Sequence, residues 1–357
     1  EDSRALERLH SLLAEPAWSH AMAVSLLHAA GASASLQSTS LSWLAGAYLS
    51  KVCWPGIRLA QADLREADLT AADLRRADLA RANANKTCFQ RSRLNAACLS
   101  GIMALEADLR GADLSHVSAE SASFVDANLE QANFTQAQLP DARFEDSKLT
   151  AAVFRDAVLL HADFTGSTIK GADFSGADLT RSILAGLCLR ESRWDGARFT
   201  EADMEACDLE YMTLPSADFE NAHLHRALLT GSTMFGANFR GACLQEAGLA
   251  DIEWEQADLR GADLRGVSFH MGSTRSGLVG STIPCEGSKT GFYTDDYDEQ
   301  TYRSPEEIRK ANLCGADLRG AILDGVDFYL VDLRGARFDE KYADHLRRCG
   351  AILEARV

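Results

Sequence analysis

The stretch that decides the fold reads Ala62-Asp63-Leu64-Arg65-Glu66-Ala67-Asp68-Leu69-Thr70-Ala71-Ala72-Asp73-Leu74. A leucine returns at every fifth residue, with Asp just before it and Ala two before. Neither the 3.6-residue helical period nor the two-residue strand period produces that spacing. Working outward, every fifth residue from Leu59 to Phe269 can be read without a slip of phase, giving 43 units. Forty of these centres are Leu, Phe, Ile, Met or Trp, and two positions before the centre 36 of the 43 are Ala, Ser, Thr or Cys.

The three exceptional centres are Ala84, Ala104 and Ala119. Beside Ala104 the small partner grows to Ile102, and beside Ala119 it grows to Val117. Volume is exchanged between two positions that fill one interior. Ala84 sits beside Ala82 without such exchange, so a thin core is expected there. Twelve of the thirteen glycines between Ile57 and Phe269 fall two after a centre, and Pro55, Pro140 and Pro215 fall one after. Proline presets the first residue of a tight turn and glycine accepts positive φ at the second. Each unit is therefore a short extended piece followed by a turn, with its centre facing inward.

One such loop is not stable alone. Burying its large side chain gives roughly 1.5–3 kcal/mol, against about 1–2 kcal/mol of backbone entropy for each ordered residue. Stacked neighbours must supply the difference through backbone hydrogen bonds and a continuous interior.

The motif Ala-Asp/Asn-Leu/Phe, seen again in Ala132-Asn133-Phe134 and Ala262-Asp263-Leu264, resembles the pentapeptide-repeat family over residues 59–269 and 311–338. The resemblance implies a mainly β fold, a right-handed quadrilateral β-helix solenoid with four units per coil, so that residues twenty apart stack. Phe124, Phe144 and Phe164 then form one column, and Phe134, Phe154, Phe174 and Trp194 another. It also assigns Asp63, Asp163 and Asp258 to backbone bonding at corners rather than to catalysis or metal binding.

Five segments are expected: an N-terminal helical cap over 1–53, repeats over 54–269, an insertion with a short helix over 270–310, resumed repeats over 311–339, and a C-terminal helical cap over 340–357. Leu6, Leu9, Leu12 and Leu13 make one apolar helical stripe, Pro16 opens a second helix running to about Ala30, and Ser40 or Ser42 a third. The insertion is Gly- and Ser-rich, then carries Tyr293, Tyr297 and Tyr302 among acids. Ser304-Pro305-Glu306-Glu307 resembles a capping box opening a short helix to about Lys310. Afterwards the centres Leu313, Leu318, Leu323, Phe328, Leu333 and Phe338 resume out of phase. In relatives that inhibit DNA gyrase a C-terminal helix mediates dimerisation, and the sequence leaves open whether Tyr342, Leu346 and Ile352 form such a homodimer contact.

The net charge of −16 is concentrated in the third hundred residues. That balance argues against direct nucleic-acid binding, which needs Lys and Arg to displace counterions, and suits a basic partner surface. Nine cysteines without a CxxC pair read as small, reduced residues of a cytoplasmic protein. No apolar run is long enough to span a membrane. The chain begins at Glu1 without methionine and reads as trimmed or as part of something longer.

Catalytic motifs are missing. Gly287-Ser288-Lys289-Thr290 has the tail of a phosphate loop without its first glycine. His223 and His225 flank Leu224 but lack a third ligand, and the acidic run after Tyr293 lacks calcium-loop spacing. No cofactor and no enzyme activity are expected. Two functions compete. One is a non-enzymatic interaction scaffold for a protein partner, part of a signalling or defence system, with Glu201, Glu205, Glu210, Glu220, Glu246, Glu255, Tyr293, Tyr297 and Tyr302 as its contact surface. The other, which the resemblance implies, is a DNA-mimicking regulator or inhibitor of a type II topoisomerase such as gyrase. Against it, the acids do not form one column, and Arg65, Arg75, Arg76 and Arg81 make the other end basic.

Overall fold

The computed structural model describes residues 20–29, 42–269 and 310–354. Its β structure is a ladder of single parallel bridges, each joining a residue to the one twenty further on, as in Asp63 to Asn83 and Asp68 to Cys88. Four five-residue units therefore complete one coil. The chain divides into two compact units, 1–178 and 179–357. In the first, the bridges run without a gap from Trp43–Asp63 to Val158–Asp178.

The hydrogen bonds of one unit explain its sequence. The Leu64 N–H reaches Asn83 O at 2.7 Å and the Glu66 N–H reaches Asn85 O at 3.0 Å, both in the following coil. The Asp68 N–H turns back to Ala47 O at 2.9 Å, and the Ala67 N–H closes the corner turn on Leu64 O at 2.9 Å. One donor is left, that of Arg65, and the Asp63 carboxylate accepts it at 3.2 Å. All five N–H groups of the repeat are thus satisfied, as a buried backbone requires. The Asp or Asn before the centre closes the fifth bond, and it recurs at Asp68, Asp108, Asn133 and Asp258.

Corner geometry is stricter than the glycine pattern implies. The residue two after the centre has positive φ whether it is Gly101 at 66° or Glu66 at 59°, Asp126 at 56° and Tyr211 at 58°. A side chain held in that region costs on the order of 1–3 kcal/mol. The bond that the same residue's N–H makes to the next coil offsets it.

The centres face inward and are buried, among them Leu64, Phe144 and Trp254. The small partners Ala62 and Ala142 are buried with them, as are the exchanged pairs Ile102 with Ala104 and Val117 with Ala119. In the first unit two phenylalanine columns form. Phe134, Phe154 and Phe174 stack at 4.8 Å between rings, and Phe124, Phe144 and Phe164 at 5.3 and 4.9 Å. The columns meet edge to face, with Phe144 at 5.9 Å from Phe134 and 5.6 Å from Phe154. Such offset and edge contacts add to area burial. Trp194 belongs to the second unit, where it tilts against Phe199.

Several expectations are corrected. No third helix opens at Ser42, because the ladder already begins at Trp43, with Leu44 and Leu49 as buried centres. One N-terminal helix is described, α1 (His20–Ala29), and it packs on the first coil. Its Ser25 Oγ accepts the Tyr48 N–H at 2.8 Å, and His28 lies 2.7 Å from Ser50 O. The leucine stripe of residues 6–13 and the helix expected from Ser304 lie outside the described residues, as do Tyr293, Tyr297 and Tyr302.

The phase shift after the insertion has a simple reason. Asn312 bridges Glu253, Asp317 bridges Asp258, and Ile322 bridges Asp263. The offset is 59 instead of twenty, so the chain adds 39 residues and returns to the same columns. The repeats end on a 3-10 turn, Glu340–Tyr342, and helix α2 (Ala343–Cys349), stopped by Gly350 at φ 82°. Leu346 and Tyr342 are buried, and the Tyr342 hydroxyl accepts the Leu323 N–H at 3.3 Å. Ile352 is not helical but bridges Asp332. The Tyr342 and Leu346 side chains therefore serve the last coil rather than an exposed helix face.

Seven described cysteines are free. Cys207 acts as a small interior residue, and complete burial pushes its thiol up to about 12.

Candidate partner-binding surface

The twenty-residue register fixes where the six predicted glutamates lie. No two share a column. Glu205 and Glu255 are exposed, as is Glu246, while Glu201 and Glu220 are partly so. Two are countered by an arginine one coil earlier, Arg181 on Glu201 at 2.7 Å and Arg226 on Glu246 at 2.8 Å. The Arg226 hydrogen bond holds the Glu246 carboxyl below its usual range.

Glu210 departs from expectation. Its side chain is only 17% exposed, against a site where residues one after a centre normally point outward. The cause is Arg190, directly before it in its column, whose guanidinium lies 3.0 Å from Asp208 and 3.5 Å from Glu210. Burial pushes the Asp208 carboxyl up, while the Glu210 N–H and Arg190 pull it down. Burial also raises Glu210, and the charge of Asp208 adds to the rise. Two carboxylates thus share one guanidinium in a poorly solvated place. Elsewhere the corner aspartates, such as Asp63 beside Arg65, are held below their usual range by a dedicated arginine.

Beside this trio the ladder is broken. From Ile183 to Ser268 every rung pairs with the one twenty on, except Arg193 with Thr213. The neighbouring rungs Cys188–Asp208 and Arg198–Asp218 are intact, so one side of the coil opens while those on either side hold. A cleft of about 470 Å³ results, lined by residues 190–195 and 210–214. The interior shows at its edge: Leu187, Met212 and Ala217 are 6–8% exposed, where most centres and partners are at 0–1%.

The outer face that carries the cleft is read from its three columns. Glu191, Tyr211, Gly231 and Asp251 follow one another along the first, Arg193, Thr213, Thr233 and Glu253 the second, and Asp195, Pro215, Phe235 and Glu255 the third. Tyr211 and Phe235 remain 60% and 46% exposed, large values for aromatic side chains in a protein whose others are mostly interior. The Tyr211 ring lies over Gly231, where a Cβ would strike it. Lower on the face, Asn312 donates 2.8 Å bonds to both Glu253 and Glu255. The sequence singled out Glu255 on this face; the aromatic pair and the broken rung were missed.

Among the described residues no group of three His, Cys, Asp or Glu side chains is placed to hold a metal, and no helix is long and apolar enough to cross a membrane.

Family models decide what the frame is. The model described as Pentapeptide repeats (8 copies) matches residues 44–79, 62–101, 214–251, 242–272 and 308–339, and that of the Pentapeptide repeat region matches 117–194, together well over half the chain. The chain belongs to the pentapeptide-repeat family. Among solved pentapeptide-repeat proteins it is similar to HetL of the cyanobacterium Nostoc sp. strain PCC 7120, involved in heterocyst differentiation regulation. That match has 29% identity and a TM-score of 0.33, and covers 61% of this chain and 85% of HetL. Similarity to QnrB1, a plasmid-mediated fluoroquinolone resistance protein, is 18% in identity with a TM-score of 0.32, over 75% of this chain and 97% of QnrB1. A pentapeptide-repeat protein of the Arabidopsis thaliana thylakoid lumen is 27% identical with a TM-score of 0.18, over 37% of this chain and 67% of its own. No curated protein matches the chain.

Proposed function

We propose that this pentapeptide-repeat protein is a non-enzymatic scaffold that binds a partner protein through the outer face carrying Tyr211 and Phe235. The observation that supports this reading is the exposure of those two aromatic side chains beside the broken rung. Aromatic residues dominate binding energy where they can be desolvated by a partner. The coil is read as a right-handed square one, whose stacked rungs hold the face in a fixed shape and keep the ordering cost of binding small. Glu255, in the third column, supplies outward negative charge on it.

Mimicry of DNA is the weaker reading. A duplex carries one charge per about 1.7 Å of axis, whereas the six glutamates fall in six columns and three of them are bound to arginine. Addition of the purified chain to a gyrase supercoiling assay is expected to leave the rate unchanged, and inhibition at micromolar protein would revive that reading.

The test of the scaffold is affinity capture from the native host, comparing the intact chain with a Tyr211→Ser/Phe235→Ser double variant of equal thermal stability. A protein retained by the first and lost by the second is expected. Identical recoveries from both would overturn the assignment of this face.

A further inference from the structure

We propose that the broken rung between Arg193 and Thr213 receives an extended segment of a partner protein as an added strand, with a Lys or Arg side chain of that segment seated on Glu210 beside Arg190. The inference rests on the scaffold reading and makes it specific in both backbone and side-chain chemistry.

The backbone argument starts from unused ladder groups. In an intact rung the centre's N–H reaches forward to the next coil and the residue before the centre reaches back, as Leu214 does to Thr233 O at 2.9 Å and Thr233 does to Met212 O at 2.8 Å. At the break, the Thr213 N–H and C=O and the Gly196 N–H make no backbone bond among the described residues. Unpaired groups on a strand edge are the template on which an extended peptide adds. Thr213 lines the cleft, and both Thr213 and Gly196 are exposed, so these groups are open to an added strand. The cleft of about 470 Å³ lies within the range of ligand sites, about 300–1,000 Å³.

The side-chain argument is charge complementarity. Arg190 and Arg193 line the cleft with Glu191, Asp195 and Glu210, and the buried Asp208 carboxylate also lies on Arg190. Two cations face four anions. Arg193 is already engaged with Asp195 at 3.3 Å, and both are exposed at the rim. On the floor Arg190 serves two carboxylates at once, and the raised proton affinity of both says that the second is short of positive charge. Trp194, Met212 and Leu214 form apolar walls along which the methylene stem of a lysine can lie.

The probe is a fluorescein-labelled heptapeptide of alternating Thr and Val with a central Lys, titrated by anisotropy against the full chain at pH 7. Saturable binding is expected below about millimolar peptide. Exchanging the central Lys for Glu is expected to weaken it about tenfold or more, the scale of a charged hydrogen bond. N-methylation of alternate backbone amides in the peptide should abolish it. Glu210→Gln in the protein should weaken the Lys peptide and leave the Glu peptide no worse. Since the peptide changes leave the protein untouched, folding of the variant is not at issue. Lack of saturable binding, or binding indifferent to N-methylation, overturns the proposal. Capture that depends on Tyr211 and Phe235 would survive that result, which separates failure of strand entry from failure of the scaffold reading.

Discussion

Replacing Phe144 by alanine tests the account of the interior. Its ring is fully buried, stacked between Phe124 at 5.3 Å and Phe164 at 4.9 Å, and met edge-on by Phe134 and Phe154. Phe→Ala in a core costs about 3–5 kcal/mol, and each aromatic pair adds about 0.5–1.5 kcal/mol beyond burial. Because those contacts overlap, the expected loss is at the upper end, about 5 kcal/mol. Phe144→Leu restores the residue type used at Leu139 and Leu149 but forfeits the ring contacts, for about 2 kcal/mol. Urea denaturation measures both, and hydrogen exchange locates the damage. In a one-dimensional stack each coil leans on its neighbours, so protection should fall first in coils containing residues 124–164. A loss below about 2 kcal/mol for Phe144→Ala, or exchange unchanged around that site, would refute the idea that the phenylalanine columns hold this unit together.

Asp263 is held down to about 2, first by its hydrogen bonds to Arg265, and a carboxyl NMR titration is expected to show that midpoint. Its folded pKa lies below the unfolded one, so its contribution is present near neutrality and fades as pH falls from about 4 through about 2; a midpoint near 4, or no upward move in Arg265→Gln, would contradict the corner ion pair. Ser147 occupies a small inward position, and its hydroxyl has no hydrogen-bond partner. Ser147→Ala should therefore stabilise by about 1–2 kcal/mol in denaturant melts, and destabilisation would show an unrecognised bond. Deleting residues 272–310 joins Met271 to Ala311 and sets Asn312 twenty positions after Glu253, so the last coils should keep their circular dichroism and melting transition. A deletion one residue shorter should turn Leu313 and Leu318 away from the interior and unfold them.

The repeat was legible because interior volume leaves so little choice. Leu64, Phe144 and Trp254 had to point inward once the small partner and the corner were recognised. The first coil was overlooked although Leu44, Leu49 and Trp54 continue the same phase, because Trp43, Tyr48 and Cys53 stand where Asp usually marks a unit. The broken rung was not legible as a pattern, since Trp194 and Leu214 keep the period. What it leaves in the sequence is excess volume: Met212 and Leu214 are both large, with Trp194 one coil before. Where Trp254 is accommodated, Ser232 lies alongside and accepts its indole N–H at 2.9 Å. Glu210 was misplaced because its burial depends on Arg190, twenty residues away, and no local rule carries that information.

The carboxylate that closes the fifth backbone bond has an evolutionary corollary. With the main-chain N–H groups of each intact unit answered from within, the outward-pointing side chains are largely released from architectural duty and can drift or specialise without loosening the frame. Recognition by a partner is then inscribed on a surface that resemblance between repeats does not report, so two chains sharing every rung can answer to unrelated proteins.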